Sequence, residues 1–438
     1  PELSIMRIVH ITAGAGGRIC GSCLHDNTLV RSLRSRGRDA ILVPAYVPTT
    51  TDEQNVAEKK IVLGGVNVWL QEYVPFFRQT PVFFDQFLDS RRLLEWLSSR
   101  TGAMRPSSLG PLTISTLQGE QGHQRKEVKK LVGWLAREVR PDIVHLSNAL
   151  LVGLARSVRE ATSARIICSL AGEDVFVEQI PKPHYSLVRE LLRERSADVD
   201  HFVAFNQFFS TFMADYLAIP PVKISIIPHG VDPHGFPQTP PDLLARRRAR
   251  GKRLVVGYLA RVCPEKGLEQ IIRSLPLLAQ NHDVTLLAAG AMVAAERDYL
   301  THCRALAEDL GVSKKVTWLG QIARSDKLKL LESIDVFVMP TVHPDAKGIP
   351  VIEALTAGVP VVAPNHGAFP ELLDEGRAGL LHVPGDPSDL ARAINTLFCE
   401  PQIAVRVGGH GYAIARSRHS ADQMAISHEE LYKSLLPV

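Results

Sequence analysis

Two stretches place charged residues beside glycines in the way an anionic ligand requires. In RLVVGYLARVCPEKGLEQIIRSL (253–275) an apolar strand runs into a turn carrying Arg261 and Lys266, and a helix starts near Gly267. Two cations beside helix N-terminal N–H groups make an anion site, Arg gripping oxygens with two parallel bonds and Lys acting as a point charge. In VFVMPTVHPDAKGIPVIEALTAGVPVVAPNHG (336–367) the order is strand, loop, helix, strand. Asp345 falls in the loop and Glu353 in the first turn of the helix, eight positions on. Gly348 and Ile349 lie between them, where backbone N–H groups can approach a phosphate or sugar. A carboxylate such as Glu353 can accept from two hydroxyls of a ribose. Taken singly, the turn also reads as two solvated charges, and Glu353 as a favourable charge near a helix N-terminus.

Other motifs carry less. ITAGAGGRICGS (11–22) sits between a strand and a helix, but the dinucleotide fingerprint fails because Ile19 stands where the third glycine belongs. A phosphate-binding P-loop fails too, since Ser22 and not Lys follows Gly21. Cys20-Gly-Ser-Cys23 is a C-x-x-C at a helix start, where a thiolate can be stabilised. With no second pair for zinc and a domain too large for a thioredoxin fold, packing beneath the loop is the better reading.

The elements that must hold these residues alternate along the chain. Apolar strands are read at 7–13, 39–45, 142–148, 164–170, 201–206 and 223–230, and again at 253–260, 283–290, 315–320, 335–340 and 359–364. Helical patterns fill the gaps, at 26–37 with a stop at Gly37, 126–139, 186–198, 267–280, 300–311 and 350–358. This is the βαβ rhythm of doubly wound α/β domains. PHGVDPHGFPQTPP (228–241) is dense in Pro and Gly and reads as a linker. Two such domains would leave a cleft between them, and ligands of open α/β sheets bind beyond the strand carboxyl ends. The aromatic, basic stretch FFRQTPVFFDQFLDSRRLLEWLSSR (76–100) reads as a helical insertion for acceptor contact or packing.

The chain has 438 residues, 45% hydrophobic and 22% charged, as in an ordinary globular protein. Aromatics are only 6%, so the cores are aliphatic. A formal net charge of +4 is too small to argue for nucleic acid. The basic runs at 31–38 and 243–253 read first as solvated faces and second as a surface for an anionic membrane or partner. No stretch reaches the roughly 20 apolar residues that span a bilayer, no secretory leader is evident, and six scattered cysteines do not make a disulfide scaffold. The expected compartment is the cytoplasm, with peripheral membrane contact as the variant reading.

Together the motifs resemble the retaining GT-B glycosyltransferases, specifically glycosyltransferase family 4. GYLARVCPEKG (257–267) is similar to that family's K-G turn, and DAKGIPVIEALTAGVPVV (345–362) to its paired acidic residues running into EA-x-x-x-G-x-P-V-V. GAFPELL (367–373), GVDPHGF (230–236) and the closing segment ARSRHSADQMAISHEELYKSLL (415–436) match further family patterns in the right order. The resemblance implies GT-B architecture, two doubly wound Rossmann-like parallel-sheet domains facing a cleft. It places the N-terminal domain at 1–232, a linker at 233–252, the C-terminal domain at 253–405 and a terminal helix crossing back at 406–438. It implies a nucleotide-diphosphate-sugar donor, a UDP-sugar before a GDP-sugar, transferred with retention to an acceptor hydroxyl in carbohydrate biosynthesis, on a saccharide, lipid or small molecule.

In that scheme Arg261 and Lys266 neutralise the leaving diphosphate, Glu353 holds the ribose, Asp345 stands for the family's first Glu near the sugar, and Gly348 and Ile349 approach the donor. Gly16 and Gly17 match a Gly-rich turn that contacts donor phosphate or acceptor, and the base is expected near residues 317–322. No metal or cofactor is implied. Asp198-Val199-Asp200 is a D-x-D at a strand entrance and reads as a cap on the preceding helix. In SLAGEDVF (169–176) Ala171 stands where the family often has His. Glu173 or Asp174 could then orient or deprotonate the acceptor, against plain N-capping by Asp174. Retention in the family is usually ascribed to front-face attack with the diphosphate assisting, so no protein nucleophile is required. The alternatives are a nucleotide-sugar epimerase on the same fold and a catalytically silent nucleotide-sugar-binding protein.

Overall fold

The computed structural model describes residues 6–14, 20–64, 68, 71–72, 109–292 and 296–437. Gly16, Gly17 and the 76–100 stretch lie outside the described residues. The chain forms two compact units, Pro1–Gly230 with Met424–Val438, and Val231–Gln423.

The first unit runs β1 (Arg7–Thr12), α1 (Gly21–Ser35), β2 (Asp39–Pro44), α2 (Gly110–Gln118), α3 (Arg125–Trp134), β3 (Ile143–Leu146), α4 (Ala155–Thr162), β4 (Arg165–Ser169), α5 (Asp174–Val177), α6 (His184–Ser196), β5 (His201–Ala204), α7 (Gln207–Leu217) and β6 (Ile224–Ile226). Its six strands are all parallel, in the order β2-β1-β3-β4-β5-β6. Helix α1 starts five residues earlier than the pattern suggests and ends at a Schellman motif. Gly37, at φ +78°, donates to Arg34 O at 2.9 Å, and Arg38 donates to Leu33 O at 3.0 Å.

The second unit runs α8 (Leu243–Arg250), β7 (Arg253–Leu259), α9 (Leu268–Ala279), β8 (Asp283–Ala289), α10 (Arg297–Asp309), β9 (Val316–Gly320), α11 (Arg324–Ser333), β10 (Val336–Val338), α12 (Ile349–Thr356), β11 (Val361–Pro364), α13 (Phe369–Leu372), β12 (Leu380–His382), α14 (Pro387–Cys399) and α15 (Pro401–Arg418). Helix α16 (Ala421–Leu435) then carries the chain into Met424–Val438 of the first unit. The sheet order is β12-β11-β10-β7-β8-β9, again parallel. Strand β7 shows why these runs are apolar throughout. Leu254, Val256 and Tyr258 enter the core with Ile271 and Leu275, while Val255 enters the opposite core with Phe337, Ile352 and Leu355.

Three expectations change here. The segment read as linker, 233–252, holds helix α8. Its arginines are not a solvated face, since Arg246 donates to Ile334 O at 3.0 Å, Arg250 pairs with Asp335 at 2.7 Å and Arg247 lies 3.2 Å from the centre of the Phe398 ring. The earlier basic run is also engaged, Arg31 with Glu53 at 3.0 Å, and Arg36 and Arg38 with Glu429 at 2.8 and 3.0 Å. The terminal segment is two helices, parted at His419–Ser420, where Val231 donates to His419 O at 2.8 Å and Ala421 donates to Val231 O at 3.0 Å.

Candidate functional site

In the second unit β7 lies between β8 and β10, so the strand order reverses at the β7/β10 pair. The crevice at such a point, outside the strand carboxyl ends, is where an open α/β sheet takes a ligand. The loop after β7 carries Arg261 and Lys266, and the loop after β10 carries Asp345 and Gly348. Topology therefore joins two stretches about 80 residues apart in sequence into one site.

Gly267 makes the joint between the loops. It holds φ +65° at the N-cap of α9, and a Cβ there would sit 2.1 Å from Pro340 O. The amides of Val342 and His343 donate to Glu265 O at 3.1 and 3.4 Å. A third loop, after β11, closes on the same place, with His366 Nε2 at 2.9 Å from Thr341 O and the Ala368 amide donating to Asp345 O at 2.9 Å.

Lys266 Nζ donates to Asp345 Oδ2. Asp345 Oδ1 accepts from the amides of Lys347 at 2.8 Å and Gly348 at 3.0 Å. Burial is the largest influence on the Asp345 carboxyl and pushes its pKa up, but the Lys266 ammonium and the two amides together hold it well below the usual carboxylate range. The Gly348 N–H that the sequence offers to a ligand is thus donated to Asp345. Arg261 is half exposed and faces acids too, Glu296 at 3.4 Å and Glu265 at 4.0 Å. Both cations of the site hold carboxylates that a diphosphate would have to replace.

Glu353 is the fifth residue of α12, in its second turn and not its first. It is 3% exposed, and its Oε1 accepts from Lys327 Nζ at 2.5 Å. Sequence reasoning missed both Lys327 and Glu296. Lys327 left one sign, standing three and four positions before the buried Leu330 and Leu331 on the core-facing side of α11. Glu296 left none, because only the β7–β8 pairing brings it to Arg261.

In the first unit the order reverses between β1 and β3. Gly14 follows β1 at φ +85°, where a Cβ would lie 1.9 Å from Val47 O. Glu173 is 4% exposed and clamps two strand-end loops, Oε1 accepting from the Ala149 amide at 2.7 Å and Oε2 from the Ala171 amide at 2.6 Å. Both oxygens of this acceptor-side candidate hold backbone. Asp174, 7% exposed, is the first residue of α5 and not its N-cap, which is Glu173.

Beneath this end of the sheet lies a buried polar cluster. His10 is 3.0 Å from Asp26, His25 is 2.6 Å from His229, and His145 bonds Tyr432 at 2.7 Å and Ser169 at 2.9 Å. His428 Nδ1 bonds Met424 O at 2.8 Å. Burial is the main cause that lowers the pKa of His145 and of His428, the latter to about 4.

The remaining motifs are structural. Cys20 is the N-cap of α1, and Cys23 is buried, its thiol pushed far up by the contact with Cys20 and by burial, the reverse of an activated thiolate. Asp198 caps no helix, since it pairs with Arg156 at 3.1 Å and Arg159 at 3.4 Å. Asp200 accepts from the Ile166 amide at 2.7 Å at the entrance of β5. Among the described residues no group of three or more His, Cys, Asp or Glu is arranged to hold a metal.

The profile of "Glycosyl transferases group 1" matches residues 242–413, and that of "Glycosyltransferase Family 4" residues 114–234. A GDP-mannose-dependent alpha-(1-6)-phosphatidylinositol monomannoside mannosyltransferase of Mycolicibacterium smegmatis is 31% identical over 272 residues, 60% of this chain and 68% of the relative. A D-inositol 3-phosphate glycosyltransferase of Mycobacterium sp. (strain KMS) is 26% identical, over 69% of this chain and 66% of the relative. Among solved structures, Anabaena HepE in complex with UDP and glucose matches with a TM-score of 0.70 at 20% identity, over 98% of this chain and 100% of that one. Sucrose-phosphate synthase from Thermosynechococcus elongatus matches with a TM-score of 0.71 at 16% identity, over 98% and 99%. The fold is GT-B, and the chain belongs to the group 1 glycosyltransferases of family 4.

Proposed function

We propose that this glycosyltransferase moves a hexose from a nucleoside-diphosphate sugar to an acceptor hydroxyl, with retention and without a metal ion. The observation that carries the reading is the meeting of Arg261, Lys266 and Asp345 at the β7/β10 reversal point, behind two glycine-dependent turns. As the glycosidic bond breaks, negative charge grows on the departing diphosphate. Preorganised cations stabilise such charge without reorganising. Arg261 and Lys266 release their carboxylates to the incoming phosphates, and Asp345, freed from Lys266, takes up sugar hydroxyls. Glu353 accepts from the ribose. Attack from the leaving-group face, assisted by the diphosphate, gives retention.

The family resemblance puts a UDP-sugar before a GDP-sugar. The relatives at 31% identity are named for GDP-mannose, and that outweighs the preference, so GDP-mannose is the first donor to test. The names of the relatives also place their acceptors among inositol phosphates and phosphatidylinositol mannosides. We therefore propose a sugar or cyclitol hydroxyl, free or lipid-linked, as acceptor. No described helix is long and apolar enough to cross a membrane. A silent binder would not need two cations at the expected leaving diphosphate, and the family models and relatives are transferases and not epimerases.

The test is to incubate the protein with GDP-mannose, GDP-fucose, UDP-glucose and UDP-galactose, in EDTA, with and without inositol phosphate. Acceptor-dependent nucleotide release and a product that keeps the anomeric configuration of its donor support the reading. Release of a free epimerised sugar nucleotide, or binding without release from any donor, overturns it.

A further inference from the structure

Lys327 is a charged side chain placed where the fold has no need of charge. It is the fourth residue of α11, 5% exposed, on the side that carries the buried Leu330 and Leu331 into the core with Phe337, Ile352 and Leu355. Its Nζ donates to Glu353 Oε1 at 2.5 Å, with both side chains almost fully enclosed at 7% and 4% exposure. A buried ion pair of this kind does not out-stabilise a well-packed apolar pair of the same volume, because desolvation offsets the attraction. Stability alone therefore does not account for it. What the pair does is fix a carboxylate. A carboxylate has two oxygens and about four lone-pair sites. Lys327 engages Oε1, so Oε2 retains acceptor capacity for neighbouring hydroxyls.

The chain path adds a second observation. Helix α11 begins three residues after β9, so Lys327 is carried by the element that follows 317–322, the segment expected beside the base. One short helix thus links that segment to the carboxylate expected at the ribose.

We propose that Lys327 is a positioning residue for the nucleoside half of the donor, holding Glu353 in one orientation so that the ribose hydroxyls meet a fixed acceptor. This rests on the reading of Glu353 as the ribose carboxylate. Without the ammonium nothing at Oε1 fixes the Glu353 side chain, and the prepared acceptor is lost. The diphosphate cations lie on a different loop, so the defect falls on donor affinity and leaves the chemical step nearly intact.

The experiment uses the full chain and titrates GDP, UDP and their 2′-deoxy forms into wild type, Lys327→Met, Lys327→Arg and Glu353→Gln by calorimetry, with kcat measured at saturating donor. A hydrogen bond to a charged group corresponds to roughly 10- to 100-fold in affinity. Lys327→Met and Glu353→Gln should each lose about tenfold or more for the ribo form and bind the 2′-deoxy form almost as well. Lys327→Arg should restore most of the ribose preference, and kcat should change much less than affinity. Lys327→Gln replaces the Met variant where that does not fold. If Glu353→Gln keeps the wild-type preference, the ribose reading itself fails. If Glu353→Gln loses it while a folded Lys327→Met or Lys327→Gln keeps it, the role of Lys327 alone is overturned.

Discussion

Replacing Lys266 by alanine separates catalysis from stability in a way the structure lets one work through. The substitution removes the ammonium from Asp345, whose side chain is 9% exposed against 26% for Lys266. Breaking a fully buried pair costs about 3–5 kcal/mol. Here Asp345 keeps the amides of Lys347 and Gly348 and Lys266 is partly wet, so about 1–3 kcal/mol is expected. For a unit of this size that is a fall in Tm of roughly 2–12 °C. The loss in turnover should be larger, because a preorganised donor to developing charge contributes about 10²–10³ in kcat. Asp345→Asn in the same chain removes the orphaned charge, and should restore most of the Tm and none of the turnover. The assay is acceptor-dependent nucleotide release beside thermal unfolding of the same preparations. A turnover within about threefold of wild type, or one that recovers along with Tm in the double variant, would refute the assignment of Lys266 to the leaving group.

Three further outcomes follow from other parts of the molecule. His145 and His428 are buried neutral, so the unfolded chain binds more protons than the native one below about pH 6.5, and stability must fall as pH drops from there toward 4. For His428 alone that is about 3 kcal/mol, readable by denaturant titration at pH 7, 5.5 and 4.5, and His428→Gln should flatten the slope. Gly267→Ala should cost about 2 kcal/mol or more and weaken nucleoside-diphosphate binding, because a Cβ meets Pro340 O and φ is positive; calorimetry on the folded fraction checks it. Glu173→Gln should lower the stability of the first unit by about 1–3 kcal/mol while leaving the pH profile of kcat unmoved, and loss of the rising limb on the acidic side would make Glu173 the acceptor's base instead of a loop clamp.

Much of the fold could be read because parallel strands buried on both faces are continuous apolar runs. RLVVGYL and VFVMP stand out by composition, and the glycines at 267 and 348 mark turns that only a positive φ satisfies. Strand β12 is three residues long and gave no such run. Helix α8 was hidden by the Pro- and Gly-rich stretch before it, and its arginines read as solvent-facing until Asp335 and Phe398 were brought against them. Within the site, the charges on one loop were legible and their partners were not. Asp345 on Lys266, Glu296 on Arg261 and Lys327 on Glu353 are all set by sheet order, 79, 35 and 26 positions apart. Sequence spacing therefore pointed to the cations and missed that acids already hold them.

The central claim is that the nucleotide is bound by the second unit, at the β7/β10 reversal point. A crystal structure of the full chain with GDP bound tests it directly. The diphosphate should lie against Arg261 and Lys266, with Asp345 displaced from the lysine, and the ribose on Glu353. A diphosphate seated instead at the β1/β3 reversal point of the first unit, with the Lys266–Asp345 pair unbroken, would contradict it.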